Sequence, residues 1–162
     1  MIIVVTGTPC TGKTELAKAL AKKLEYLYMD VNKVIDGHKL IESYDTKRQA
    51  SVVDEKKLAK ILIDHTKKGK NIVIDSHLAH YIPKRYVDWC IVTKCDLQTL
   101  KKRMEQRKYS LEKIRENLDA EIFDVCLVEA ADLGHRIIVL DTTKTPVSKL
   151  VSIVIHETRQ NH

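Results

Sequence analysis

Apolar residues in this chain fall into short unbroken runs, separated by longer stretches in which they return every third or fourth position. The first run, Ile-Ile-Val-Val at 2–5, predicts a buried strand, because β-branched side chains suit a pleated surface and four residues are too few for a stable helix. Residues 13–24 set Leu16, Ala17, Leu20, Ala21 and Leu24 on one side of a helix. A short strand is expected at 26–29, then a helical stretch at 32–42. Residues 43–51 are polar and without clear period, and are expected to form a mobile loop. Asp54 is placed to cap a helix over 54–68 with Leu58, Ile61, Leu62 and His65 inward and Gly69 as its stop. Further strands are expected at 71–74, 87–92 and 136–140. Asp96 opens one helix. Ser110 opens a long one that carries Leu111, Ile114, Leu118, Ile122 and Val125 and ends at Gly134, and Pro146 suits the first turn of the last helix.

Strand and helix signals thus alternate from one end to the other. That pattern predicts an α/β fold: about five parallel strands flanked by helices, joined by right-handed crossovers. The 162 residues suffice for one domain, 1–162, and 44% hydrophobic with 31% charged residues lies in the globular range. Aromatic residues are only 5%, so aliphatic side chains must fill the core.

The opening apolar run has no basic segment before it and no cleavage-like site after it, which makes it a strand rather than a secretion signal. No stretch reaches the roughly 18 apolar residues of a membrane span, so a cytoplasmic protein with no membrane partner is expected, monomeric or weakly oligomeric. Four cysteines, Cys10, Cys90, Cys95 and Cys126, lack paired zinc-type spacing and read as reduced thiols. The net charge of +6 favours anionic partners such as nucleotides or RNA.

The chemistry sits where the first strand meets the first helix. Gly7-Thr8-Pro9-Cys10-Thr11-Gly12-Lys13-Thr14 follows the pattern of a glycine, four residues, then Gly-Lys-Ser/Thr. Between a strand and a helix, such a loop aims backbone N–H groups and the positive helix end at phosphates. Gly7 and Gly12 permit backbone that a side chain would block, Lys13 supplies a cation, and Thr14 offers a hydroxyl to Mg²⁺. Asp75 directly follows the strand at 71–74, so it is the candidate second Mg²⁺ group, at the carboxyl end of a strand where ligands of open α/β sheets bind.

This P-loop, together with Asp75-Ser76-His77, the segment from Arg103 to Ser110 and the segment from Lys113 to Phe123, resembles the adenylate kinase isoenzyme six family over nearly the whole chain. The resemblance implies a P-loop NTPase fold of the nucleoside monophosphate kinase type, with a monophosphate-binding region at 31–53 and a short lid at 107–117. It implies Mg-ATP as phosphoryl donor, with ATP held by Gly7, Pro9, Cys10, Thr11, Gly12, Lys13 and Thr14 and contacted by Arg107 and the loop at Thr143. The next position, Glu15, is assigned no contact with the nucleotide. Catalysis would fall to Lys13, Asp75, His77, Arg103 and Arg107, with Thr14 and Asp75 serving the metal.

Members of that family are adenylate kinase-like enzymes with ATPase activity that assist small ribosomal subunit maturation with a ribosomal protein of the uS11 type. Expected partners are therefore ATP, ADP and AMP, together with that protein and small-subunit pre-rRNA. His77 by itself is equally compatible with simple packing, and the two arginines with a solvated basic helix end. Three departures stand out. Cys10 replaces the family's second P-loop glycine, Lys108 replaces the glycine of its Arg-Gly-Tyr lid, and 34–37 lacks the usual arginine of the monophosphate site, for which Lys33, Lys39, Lys47 and Arg48 are the available substitutes. Two readings share the same loop: transfer from ATP to AMP, and ATP-driven ribosome assembly with incidental kinase activity. A nucleotide-sensing RNA-binding protein is a third.

Overall fold

The computed structural model describes residues 1–46, 50–67 and 71–160. Five strands form one parallel sheet: β1 (Ile2–Thr6), β2 (Leu27–Asp30), β5 (Ile72–Asp75), β6 (Trp89–Lys94) and β7 (Ile137–Asp141), in the order β2-β5-β1-β6-β7. β1 is central because it is apolar on both faces: Ile3 and Val5 point to one core, Val4 to the other, and all three are fully buried. The first core is covered by α1 (Lys13–Leu24) and α7 (Val147–Gln160) through Leu16, Leu20, Leu150 and Val154. The second is covered by α2 (Val31–Gly37), α3 (Glu55–Thr66) and α6 (Val125–Asp132) through Val31, Ile35, Leu58, Leu62 and Ala130. Full burial of each such aliphatic side chain stabilises the fold by about 1.5–3 kcal/mol.

A third, smaller cluster closes the carboxyl end of the sheet. Cys10 and Cys95 pack there on Leu100 and Met104 of α4 (Leu97–Gln106) and on Ile114 of α5 (Leu111–Ile122). The caps read from sequence form: Asp54, Asp96 and Ser110 accept from the N–H groups of Lys57, Thr99 and Lys113 at 3.0, 3.0 and 3.2 Å. α1 has the expected bounds, and Pro146 lies just before the last helix, its carbonyl accepting from Lys149 and Leu150.

Two expectations differ. The stretch at 32–42 is helical only to Gly37. Lys39 then turns the chain with φ of 51°, and residues expected to be a mobile loop pair as an antiparallel hairpin of β3 (Ile41–Asp45) and β4 (Ala50–Val53). Ile41 to Tyr44 are all exposed, so neither side of β3 carries an apolar stripe and the strand leaves no period in the sequence. The long helix after Ser110 is broken instead at Asp124, whose φ of 53° separates α5 from α6. The break lets Ile114 and Leu118 face the third cluster while Cys126, Leu127 and Ala130 face the second core; one straight helix could not serve both. Leu111 and Ile122, counted as apolar positions of that helix, are left exposed, as is Phe123. Gly69, Lys47 and Arg48 lie outside the described residues. Among the described residues, no helix is long and apolar enough to cross a membrane.

Lys108 adopts φ of 56°, so this exposed position keeps the left-handed backbone that favours glycine. The relief of about 1–2 kcal/mol of strain is partly offset by a freer unfolded chain. Lys108→Gly is therefore expected to raise the thermal midpoint by about 1–2 °C, read by calorimetry. Cys10, at φ of 70°, shares the strain, but its thiol is buried, so Cys10→Gly should gain nothing net.

Candidate active site

β1 delivers the P-loop to the point where its neighbours β5 and β6 lead to opposite halves of the sheet, a topological switch at the carboxyl ends of the strands. The loop is held from below by hydroxyls. Thr11 Oγ1 donates to the Thr8 carbonyl at 2.7 Å and meets Thr93 Oγ1 at 2.7 Å, while Thr142 Oγ1 donates to the Thr11 carbonyl at 2.6 Å. α1 begins after Gly12 without a side-chain cap, which leaves its first N–H groups free for an anion.

Above the loop lies a cleft of about 920 Å³. It brings together Pro9, Cys10, Gly12, Lys13, Thr14, Asp75, His77, Arg103, Arg107 and Thr143 of the residues singled out from sequence. Gly7 and Thr11 do not line it. Gly7 lies against Thr93, and the Thr11 hydroxyl is committed to the loop's own framework. Glu15, assigned no contact from sequence, does border the cleft, exposed in the first turn of α1. Its carboxylate suits the positive start of the helix and would repel a phosphate.

Lys13 is buried, its Nζ donating to the Thr8 carbonyl at 2.8 Å. Desolvation brings its pKa down from 10.5 to about 8, against the opposing pull of the Asp75 carboxylate. Asp75 is the last residue of β5 rather than the first beyond it, beside Val5 on one strand and Asp30 on the other. Its Oδ2 accepts from the Tyr28 hydroxyl at 3.0 Å. Burial and that carboxylate push the phenol well above its usual range, so Tyr28 stays a donor. A buried carboxylate and the Thr14 hydroxyl on the same cleft are hard oxygen donors, a set that fits Mg²⁺.

His77 is exposed on the cleft wall, and partial desolvation together with the charge of Lys13 lowers its pKa from the usual imidazole value. At neutral pH it is an uncharged imidazole, able to orient a ligand by hydrogen bonding but not to neutralise one. The two arginines separate in role. Arg103 is a strut: Nη1 donates to the Cys10 carbonyl at 3.4 Å and to Thr142 Oγ1 at 3.4 Å, and Nη2 donates to the Thr142 carbonyl at 3.2 Å, tying the P-loop to the turn after β7. Arg107 is exposed to the cleft beside the Tyr109 hydroxyl and the Cys10 thiol. Thr143 Oγ1 accepts from the Asp96 N–H at 2.9 Å, and its own N–H donates to Asp141 Oδ1 at 2.7 Å.

A family model described as an AAA domain matches residues 3–124. An adenylate kinase isoenzyme 6 homolog of Dictyostelium discoideum is 36% identical over 143 residues, covering 88% of this chain and 81% of its own. The chain belongs to the adenylate kinase isoenzyme 6 family. A Methanocaldococcus jannaschii relative, provisionally named an adenylate kinase, is 35% identical over 155 residues, covering 96% of this chain and 84% of its own.

Among solved structures, shikimate kinase from Acinetobacter baumannii in complex with shikimate superposes with a TM-score of 0.70 at 12% identity, over 99% of this chain and 93% of that one. A Bacillus subtilis protein in complex with phosphorylated GDP gives 0.66 at 16%, over 100% and 99%. At such identities the likeness is one of fold. This isoenzyme 6 family member is thus an adenylate kinase-like P-loop enzyme with a kinase fold. Lys113, Tyr109 and Lys144 also line its cleft and were not singled out from sequence. Lys113 lies within the lid segment, but without the fold it is one lysine among many on a basic chain.

Proposed function

We propose that this enzyme transfers the γ-phosphoryl group of Mg-ATP to AMP, yielding two ADP. The observation that carries the reading is the extent of the cleft. Its floor is the P-loop, and it runs without interruption to Asn32, Ile35 and Asp36 of α2 and Ile41 and Val53 of the hairpin, the region 31–53 assigned to the monophosphate. Its volume of about 920 Å³ is near the top of the range of about 300–1,000 Å³ for ligand pockets. Lys13 and the free N–H groups of α1 would bind the β- and γ-phosphates, and Arg107 the transferring group. His77 would orient the attacking oxygen, and the segment 107–117 would act as lid and exclude water. Magnesium, held by Thr14 and Asp75, would supply neutralising charge on the phosphates.

A second reading is favoured by the composition of the acceptor wall. Among its described residues, Asn32, Ile35, Asp36, Ile41 and Val53 include no cation and one acid, whereas an incoming monophosphate calls for cations. Lys33 and Lys39 are exposed and do not line the cleft. Water is then the competing acceptor. The enzyme would be an ATP-driven assembly factor in small ribosomal subunit maturation, acting in the cytoplasm with a uS11-type ribosomal protein and pre-rRNA.

Incubation of the pure protein with Mg-ATP, with and without AMP, separates the two. Two ADP per ATP consumed, strictly dependent on AMP, supports transfer. ADP with inorganic phosphate regardless of AMP supports hydrolysis, and no ADP under either condition overturns both. Failure to retain a uS11-type ribosomal protein in any nucleotide state removes the assembly role.

A further inference from the structure

The main-chain pairing of β5 with β1 ends where the Ser76 N–H donates to the Val5 carbonyl at 3.2 Å. His77, the next residue, lies outside that ladder, so side chains must fix where it stands relative to the phosphate loop. Thr6, directly before Gly7, supplies the link. Its hydroxyl lies 3.2 Å from the His77 carbonyl and 2.8 Å from Nδ1 of His80. Its own carbonyl accepts at 3.2 Å from Thr93 Oγ1, the hydroxyl that meets Thr11 of the loop. His80 sits in a single helical turn, Ala79–Tyr81, with its side chain buried and outside the cleft lining. Its Nε2 lies 2.9 Å from Glu129 Oε2 of α6. A carboxylate only accepts, so Nε2 carries the proton. Burial holds the ring's pKa below its usual value against the pull of Glu129, which leaves Nδ1 bare as the acceptor for the Thr6 hydroxyl. From behind, His135 Nε2 donates to the His80 carbonyl at 2.7 Å.

We propose that His80 is a positioning residue: its ring, locked in one tautomer by Glu129, clamps the turn that carries His77 to Thr6 and so sets the His77 imidazole against the P-loop. The assignment rests on the reading that this cleft turns over Mg-ATP with His77 orienting the attacking oxygen, whichever acceptor receives the phosphoryl group. The clamp acts on one part of the site only. Asp75 is held by the ladder itself, and the phosphates are held by Lys13 and the free N–H groups of α1. Loosening the turn beyond Ser76 therefore leaves the grip on ATP in place and misplaces His77 alone. A shift of about 1 Å in an orienting group lowers a rate by up to about 100-fold. Because ground-state binding does not depend on that group, the loss falls on kcat.

The test uses the full-length protein and steady-state ADP formation, alongside calorimetric binding of ATP. Two amides separate the ring's contacts. His80→Gln keeps a donor at the Nε2 position for Glu129 and loses the acceptor for Thr6, whereas His80→Asn keeps the acceptor at the Nδ1 position and loses the donor. Both should lower the thermal midpoint. His80→Gln is expected to lower kcat about tenfold while ATP affinity stays within about threefold, and His80→Asn should recover most of that loss. Thr6→Val, which removes the hydroxyl and leaves the ring, should match His80→Gln in kcat. Added to His77→Ala, itself slow, His80→Gln should cost less than about twofold more, because both changes remove one interaction. Multiplicative losses in the double variant, equal kcat in His80→Asn and His80→Gln, or wild-type kcat in Thr6→Val would overturn the assignment. A wild-type chain that forms no ADP, with or without AMP, overturns the Mg-ATP reading and the role of His80 with it. An active wild type whose His80→Gln variant keeps full kcat overturns the role of His80 alone.

Discussion

Replacement of Lys13 by methionine is expected to stop ADP formation and, at the same time, to raise the thermal midpoint of the nucleotide-free protein. The two effects have one cause. Lys13 is a charge held in a buried place for a ligand, and without the ligand its burial is unfavourable. The fall of its pKa from 10.5 to about 8 corresponds to about 3 kcal/mol. The 2.8 Å hydrogen bond to the Thr8 carbonyl, lost in the variant, returns about 1 kcal/mol. The net gain for methionine, similar in length and uncharged, is about 2 kcal/mol, or roughly 4–8 °C in a chain of this size.

The dependence on pH follows from the direction of the shift. Below pH 8 the lysine is protonated in both folded and unfolded chains, and the full penalty is present. Between pH 8 and 10.5 the folded chain loses the proton while the unfolded chain keeps it, so wild-type stability rises and the advantage of Lys13→Met shrinks. A triphosphate restores the charge, so binding above pH 8 takes up a proton and ATP affinity falls as pH rises. Paired melts of variant and wild type from pH 7 to 10 isolate the lysine from other titrating groups. A lower midpoint for Lys13→Met at pH 7 would contradict its assignment as a desolvated cation.

Gly7→Ala is the second large effect. An added Cβ would lie 2.4 Å from the Thr93 carbonyl oxygen and 2.6 Å from Thr93 Oγ1, and the backbone φ of 137° is one that side chains rarely adopt. Strain of about 1–3 kcal/mol and overpacking of about 1–3 kcal/mol combine to a loss of about 4 kcal/mol. The expected fall in midpoint is roughly 8–16 °C. Thr93→Ser should not rescue it, because the closest atom is backbone. Gly12→Ala provides the control: its nearest neighbour would be Thr142 Oγ1 at 3.6 Å, an ordinary contact, so only the φ of 90° is costly and the loss should be about 1–2 kcal/mol. Equal losses for the two variants would mean that Gly7 is not wedged against β6.

Where a feature is local, the sequence was enough to read it. The apolar runs of β1, β5, β6 and β7 came out within one or two residues, as did α1 and the caps at Asp54, Asp96 and Ser110. Each of these depends on side chains within a few positions of one another. The P-loop residues belong to the same class, since one strand end and the helix start after it bring them together, whereas Asp75 reaches them through the pairing of β5 with β1. The hairpin of β3 and β4 was not legible, because its stability comes from cross-strand pairing of exposed residues that leave no period. The break at Asp124 was equally hidden: local spacing favoured one helix, and two separate cores demanded two.

By itself, then, the amino-acid order determined the strands of the parallel sheet, the phosphate loop, the family and a list of groups capable of phosphoryl chemistry. Only the tertiary structure decided what each group is free to do. Arg103 is engaged by a carbonyl 93 positions away and Thr11 by a hydroxyl 82 away. Periodicity encodes what neighbours along the chain do, whereas the availability of a charge depends on partners that folding alone brings within reach.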